Sequence, residues 1–562
     1  MANWSDVVEW RRDGLAAQEE PMRNRRKQLI DAYAKLQSME RQISSKGKTV
    51  NAIVSMLQHF QTRVSRQIND VSELMMATAE MADGVWSIQT QITECNQAAK
   101  IHGLRISKGG QLVSESCHDA DEFESAADEL EPMIMGVLAK ADKIDAAYNK
   151  RLTALANGSY HSSERGSSTS PGLPDLPQKG WTIGENTAWW SSLTEEEKKA
   201  VVRAHPGLIG NRNGIPMEWR DKANRARLPG EIAAMKKKVA EEKAIIERNE
   251  REGLPSSHEK YNLYKKKLKD LEELQKVLKK YDSKISSESS PDRQRLIYLD
   301  SKTSTRVQAG VALGDVDHAK NVQMVIPGMN NTVSNNMDGL IGDAQRVRNK
   351  TVEEAGTHVS SSGVHSKSDV ATVAWMYRTP QNLEVTTTDL AEKAAPKIAS
   401  YMEGVQASRQ ATGVGNAEID VGGHSFGSTT AGMAVDRVRV GTVHNLALYG
   451  SPGSGVQDVR EYNIDGKAYV SGVNTNDSVQ GIGPDDSFGK NPMKMRGFTH
   501  LANNPENDSE CETFVSEGGA AHFCEKGDTS LFRRHSEYLN KGTGSLKDIA
   551  RIMGGMEPEG EK

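Results

Sequence analysis

Aromatic residues are scarce in this chain: Phe, Tyr and Trp make up 5% of 562 residues, and the hydrophobic fraction is 36%. So lean a composition argues against one compact globule and for a good share of exposed helix. No run approaches the roughly 20 apolar residues of a membrane span, so no transmembrane segment is expected. Charge of one sign is also missing. The formal net charge is -5 and no block of like charge dominates, which gives no argument for a nucleic-acid partner. The opening residues MANWSDVVEWRRDG contain acids and no apolar run, so a conventional secretory signal is not expected. Cysteines number four, Cys95, Cys117, Cys511 and Cys524, with no C-x-x-C and no histidine at zinc-finger spacing. That pattern calls for neither metal nor cofactor. The four fall as two local pairs, one near each end. They fit either reduced thiols in a cytosolic protein or two disulfides in a protein exported without a classical signal.

Proline is nearly absent before residue 157, with only Pro21 and Pro132, and apolar residues recur there at helical spacing, as in Ile53, Leu57, Phe60, Val64, Ile68 and Val71. This predicts a helical bundle or hairpin over residues 1–157, turning at Gly109–Gly110 and ending in a helix from about Asp119 to Leu155. Residues 158–180 are rich in Ser, Gly and Pro and read as a linker. Residues 181–562 read as a second domain. It opens on Trp181, Trp189 and Trp190, with a helix start at Ser192 or Thr194 before Glu195, Glu196 and Glu197. Residues 229–284 form two charged helical arms joined by GLPSS, an expected antiparallel hairpin insertion acting as a projecting arm or lid. Its lysine runs at 236–238 and 265–267 fit a solvated coiled-coil face better than a phosphate or lipid site. After Pro291, short apolar runs at 295–300, 305–313, 321–328, 371–377, 418–423, 443–450 and 468–473 alternate with helical stretches, notably Asp389–Gln410 and Ser428–Arg437. Such alternation predicts a mostly parallel, doubly wound α/β sheet.

The string that carries chemistry is IDVGGHSFGSTTAGMA, Ile419 to Ala434. Gly423-His424-Ser425-Phe426-Gly427 fits G-x-S-x-G, with an apolar strand before it and a small-residue helix after it. A nucleophile on a sharp strand-to-helix turn needs glycine neighbours, because side chains there would strike the helix and the adjoining strand. The bland alternative is a tight turn without chemistry. A serine nucleophile needs a histidine base held by a carboxylate, in the chain order Ser, acid, His. Asp477, in the loop after the strand near Val473, is the candidate acid; Asp485 and Asp486 compete with it. Of His444, His500, His522 and His535, His444 precedes every acid candidate. His535, closest to the C-terminus, is the candidate base, with His522 the runner-up. An oxyanion hole would use the N–H of Phe426, the residue after the nucleophile, and that of Met329, after the buried strand and Pro327-Gly328.

Several ordered strings together resemble an actinobacterial α/β-hydrolase domain family of unknown function: WWSSLTEEEKKAVVRAHPGLIGNRNGIPMEWRDKANR, VALGDVDHAKNVQMVIPGMNNT, GGHSFGSTTAG, YGSPGSG and HSEYL. The resemblance covers roughly Trp181 to Leu539. It implies Ser425 as nucleophile, Asp477 as acid and His535 as base. Two departures stand out: PGMNN replaces the small Thr or Ser that members commonly have after PG, and the loop after the last strand has the longer run NTNDSVQ. Members often carry an N-terminal helical domain like the WXG-type substrates of type VII secretion. Here Trp86-Ser87-Ile88 lacks the glycine of a Trp-x-Gly turn, while Tyr160-His-Ser-Ser-Glu164 fits the Tyr-x-x-x-Asp/Glu tail signal.

The expected protein is thus a helical domain joined to an α/β-hydrolase that cleaves an ester, thioester or amide of a small-molecule or lipid-like acyl substrate. It sits in the cytoplasm or leaves by a type VII-like route, with a helical partner for its N-terminal domain. The rival readings are an envelope interaction protein with an inactive hydrolase fold and a type VII-exported effector hydrolase.

Overall fold

The computed structural model describes residues 2–45, 47–114, 120–157, 176–285, 287, 290–381, 384–385, 387–471, 488–501, 535 and 537–558. The chain divides into two compact units, Met1–Val201 and Val202–Lys562.

The first unit contains α1 (Trp4–Glu9), α2 (Asp13–Ala16), α3 (Glu19–Gln42), α4 (Lys48–Ile101), β1 (Leu104–Ile106), β2 (Leu112–Ser114), α5 (Ala120–Ala156) and α6 (Ile183–Ser192). The division falls within α7 (Glu195–Ala204). The expected turn near Gly110 is present as the hairpin β1–β2, with Gly110 at φ 82°. Helices α3, α5 and α6 each pack on the long α4. One core joins Trp4 and Val7 to Ile88, Ile92, Ile134 and Val137. Arg151 on α5 makes ion pairs with Glu73 and Glu80 on α4 and with Glu185 on α6. Trp86 lies inside α4, which runs through it without a turn, as expected where no glycine follows and Ile88 is buried. Cys95 is a buried free thiol, and burial pushes its pKa up to about 11. Cys117, Cys511, Cys524 and the Tyr160 tail string lie outside the described residues.

The contacts therefore divide the chain later than the composition does. Helix α6, with its two buried tryptophans Trp189 and Trp190, belongs to the helical unit rather than to the sheet domain. Gly184 explains how α6 sits so close: a Cβ there would lie 2.9 Å from the Ala79 carbonyl oxygen. The Ser/Gly/Pro-rich composition of 158–180 locates a change of texture, but the burial of the tryptophans sets where the packed unit ends.

The second unit holds α8 (Pro206–Ile209), α9 (Met217–Arg251), α10 (Glu259–Asp282), β3 (Gln294–Asp300), β4 (Gln308–Leu313), β5 (Asn321–Ile326), α11 (Val333–Ala355), β6 (Val370–Met376), α12 (Asp389–Ala411), β7 (Glu418–His424), α13 (Phe426–Asp436), β8 (Leu446–Tyr449), β9 (Ala468–Ser471), β10 (Phe498–His500) and α14 (Gly544–Ile552). The strands form one sheet in the order β10-β9-β8-β7-β5-β6-β4-β3. The run from β10 to β6 is parallel, whereas β4 pairs antiparallel with both β6 and β3. Strands β3 to β6 are buried along their whole length, and the parallel pair β5 and β6 is largely apolar, as strands covered on both faces are. One core, under α12 and α13, gathers Val322, Met324, Ile398, Met402, Val421 and Leu446. The opposite core gathers Leu271, Leu274, Val325, Leu340, Ile341 and Met553. The short β10 went unseen in the sequence because three residues carry no alternation to read.

The charged hairpin differs from its expected form. Its first arm starts at Met217, and Pro229 lies inside it. Side chains ahead of Pro229 bond the free edge of β3. Asp221 accepts the Leu296 N–H at 2.7 Å, Asn224 donates to the Leu296 carbonyl at 3.0 Å, and Arg220 donates to the Ile297 carbonyl at 3.0 Å. Asn211 both accepts from and donates to Leu299. An edge strand leaves a row of unpaired backbone groups, and these side chains satisfy them. The second arm buries Leu271, Leu274, Val277 and Leu278 in the core. The base of the hairpin is therefore structural; only its far end, with Ile245 and Leu254 exposed, projects.

Candidate functional site

Ser425 occupies the turn between β7 and α13 at φ 54°, ψ -132°. A non-glycine residue at positive φ is strained, and such strain persists only where neighbours over-determine it. The neighbours do so here. A Cβ on Gly423 would lie 2.7 Å from the Gly427 carbonyl oxygen and from Ser428 Cα. On Gly427 it would lie 2.5 Å from the carbonyl oxygens of Ile326 and Pro327. The helix thus starts hard against the end of β5, and only glycine permits that approach. The Ser425 N–H donates to the Tyr449 carbonyl at 3.0 Å, and the Ser425 carbonyl accepts from the Ser428 N–H at 2.9 Å.

The loop after β5 runs over this turn. A Cβ on Gly328 would stand 2.6 Å from Ser425 Cβ and 3.1 Å from its Oγ. Asn331 Nδ2 donates to the carbonyls of Gly328 and Met329, both at 3.0 Å, and its own carbonyl accepts from Thr379 Oγ1 at 2.6 Å. Asn330, at φ 61°, is the other non-glycine residue with positive φ among those described. Its N–H is taken by the Pro380 carbonyl at 2.8 Å. The N–H groups of Met329 and Phe426 have no acceptor among the described residues. Phe426 is the first residue of α13, where backbone donors lack an intrahelical partner.

His535 comes to the same place from the far end of the chain. Its ring meets Gly450, where a Cβ would lie 3.0 Å from Cε1 and 3.1 Å from Nδ1. Gly450 directly follows Tyr449, the residue that accepts the Ser425 N–H. The His424 ring stands 4.8 Å from the His535 ring and 5.5 Å from the Tyr449 ring. Ser425, His535, Phe426 and Met329 therefore gather at the carboxyl ends of β5, β7 and β8, where open α/β sheets place their ligand sites.

The other candidates fall elsewhere. His444 lies at the opposite end of β7, hydrogen-bonded through Nδ1 to Asp465 at 2.8 Å, with its N–H on the Ile419 carbonyl. The length of β7 puts it about 20 Å from Ser425. That hydrogen bond raises the His444 pKa to about 9, while burial and the nearby Glu418 push Asp420 up to about 8. His500 lies on the edge strand β10. Asp477, Asp485, Asp486 and His522 lie outside the described residues. Among the described residues no cluster of His, Cys, Asp or Glu has the makings of a metal site. None of their helices is long and apolar enough to cross a membrane. Sequence reasoning missed Asn331, Gly450 and His424 as parts of the site. All three lie within strings that carry the family resemblance, His424 at the second position of G-x-S-x-G.

A family model described as alpha/beta hydrolase matches residues 302–485. An uncharacterized protein of Mycobacterium tuberculosis is 30% identical over 214 residues, which cover 37% of this chain and 77% of that one. The chain belongs to this actinobacterial α/β-hydrolase family. A second, longer uncharacterized protein of M. tuberculosis is 24% identical over 405 residues, or 68% of this chain. The match spans 57% of that relative's length. Among solved structures, a thermostable esterase from Pseudomonas putida aligns over 39% of this chain and 58% of its own, at 16% identity and a TM-score of 0.19. The α/β-hydrolase domain carries the large helical unit N-terminal to it.

Proposed function

We propose that this α/β-hydrolase is a serine hydrolase that cleaves an ester, thioester or amide through an acyl-enzyme. The observation that carries the reading is Ser425 held at positive φ on the turn, with the ring of His535 against Gly450 and 4.8 Å from the ring of His424, the residue before the serine. Fold alone does not give function, so the argument rests on these side chains. Ser425 Oγ attacks the carbonyl while His535 takes its proton. The negative oxygen forms facing the N–H groups of Met329 and Phe426, and the α13 N-terminus adds its dipole. Collapse of the tetrahedral species expels the alcohol, thiol or amine, which takes the proton back from His535. Water then repeats the sequence and releases the acid. Asp477 is the carboxylate assigned to hold the imidazole. The substrate class is a small-molecule or lipid-like acyl compound.

A fluorophosphonate probe tests the reading. Ser425 is expected to be the labelled residue, located by peptide mass, and p-nitrophenyl esters of graded chain length then define the acyl group. Failure of the 562-residue protein to react with any of these would overturn the assignment in favour of an inactive fold.

A further inference from the structure

Resting on the proposed catalytic roles of Ser425 and His535, we infer that His424 is a positioning residue which ties the His535 backbone to the serine turn. His424 Nε2 lies 2.6 Å from the His535 carbonyl oxygen. A carbonyl only accepts, so Nε2 carries the proton and donates it, which sets the His424 tautomer. The tether is short in sequence at one end, because His424 directly precedes Ser425. A shift of the turn therefore moves the anchor of the base with it.

The segment that carries His535 is held differently farther along. Ser545 Oγ donates to the Tyr538 carbonyl at 2.8 Å, and Arg346 Nε donates to the Leu539 carbonyl at 2.6 Å. Tyr538 and Leu539 are themselves buried. These bonds fix the segment to α14 and α11, three and four residues beyond the base. The bond from His424 instead acts on the peptide of His535 itself. The rings of Tyr449, Tyr538 and His535 lie around the His424 ring with centroids 4.8 to 5.8 Å away, which limits its rotation. The second position of G-x-S-x-G thus links two parts of the site that lie 111 residues apart.

The consequence is separable from packing. Catalysis falls steeply when a base moves, about a hundred-fold for a displacement near 1 Å. His424→Gln retains a side-chain N–H donor, whereas His424→Met has similar length and no donor. Wild-type, Gln and Met proteins of 562 residues are compared by the rate of fluorophosphonate labelling and by hydrolysis of p-nitrophenyl acetate, with thermal melts alongside. The expected result is a kcat and a labelling rate reduced tens-fold in His424→Met, largely restored in His424→Gln, with KM within about two-fold throughout. Equal rates in the Met and wild-type proteins, or equal losses in Met and Gln, overturn the tether while leaving the hydrolase reading intact. A wild-type protein that reacts with neither reagent overturns both. If the Met protein does not fold, His424→Phe, which keeps a ring and lacks the donor, takes its place in the same comparison.

Discussion

His424 Nε2 lies 2.6 Å from the carbonyl oxygen of His535, joining the residue before the candidate nucleophile to the candidate base. Around this bond the site is assembled from three distant stretches: the loop after β5, the turn after β7, and the segment leading to α14.

Ser425 tests the turn chemically and energetically. Ser425→Ala is expected to melt near the wild-type temperature and to lose all fluorophosphonate labelling, with turnover reduced on the order of a million-fold. Ser425→Gly removes the strain of a side chain at φ 54° and is expected to be more stable by about 1 kcal/mol while equally unreactive. Calorimetry and labelling separate the two effects. Labelling retained in Ser425→Ala would remove the serine from its role.

The glycines around the turn differ in what they touch. Gly427→Ala places a Cβ against two backbone carbonyls that cannot move away. It is expected to destabilise by about 3 kcal/mol. Gly328→Ala meets Ser425 itself, so it should fold yet lose most labelling. A Gly328→Ala protein of full reactivity would show that the loop after β5 does not bear on the serine in solution.

The base and acid separate by severity. His535→Ala is expected to be nearly as inactive as Ser425→Ala, and Asp477→Asn to be less affected. Single-turnover rates with p-nitrophenyl acetate measure both. An active His535→Ala beside an inactive His522→Ala would reassign the base, and full activity in Asp477→Asn would pass the acid to Asp485 or Asp486.

A pH effect on stability should arise at the opposite end of β7. The hydrogen bond to Asp465 raises His444 from 6.5 to about 9, so its contribution is complete below pH 6.5 and is lost as pH rises through 9. Asp420 acts in the same direction. Burial and the nearby Glu418 raise it from 3.8 to about 8, so the unfolded chain loses its proton first and stability falls across that interval. The melting temperature is expected to decline between pH 6.5 and 9, and to decline less in Asp465→Asn. Identical slopes in the two proteins would exclude His444 as a source.

The unit boundary predicts how the chain can be cut. A fragment starting at Pro206 keeps the whole sheet and the suture along β3 by Asn211, Arg220, Asp221 and Asn224. It is expected to be soluble and to label at Ser425. A fragment starting at Trp181 carries α6, with the buried Trp189 and Trp190, without the α4 surface on which that helix packs. It should aggregate more readily in light scattering. The reverse order of solubility would place α6 with the sheet.

The sequence by itself determined the strand–helix alternation of the second unit and the serine turn. Both depend on local physics: continuous apolar runs for strands buried on two faces, and glycines where a helix starts against a strand. Tertiary structure decided the rest. Chain order and family resemblance put forward His535, but its place beside the serine turn came only from the packing of the segment at Tyr538 and Leu539 against α11 and α14, because 110 residues of intervening chain carry no local sign of it. Pro229 reads as a helix boundary by propensity, yet hydrogen bonds from the preceding turns to the edge of β3 carry the helix through it. The unit boundary moved past α6 for the same reason. Two adjacent tryptophans show that something must be buried, but their spacing says nothing of the surface on which their helix packs; here α6 packs on α4, more than 80 residues earlier in the chain.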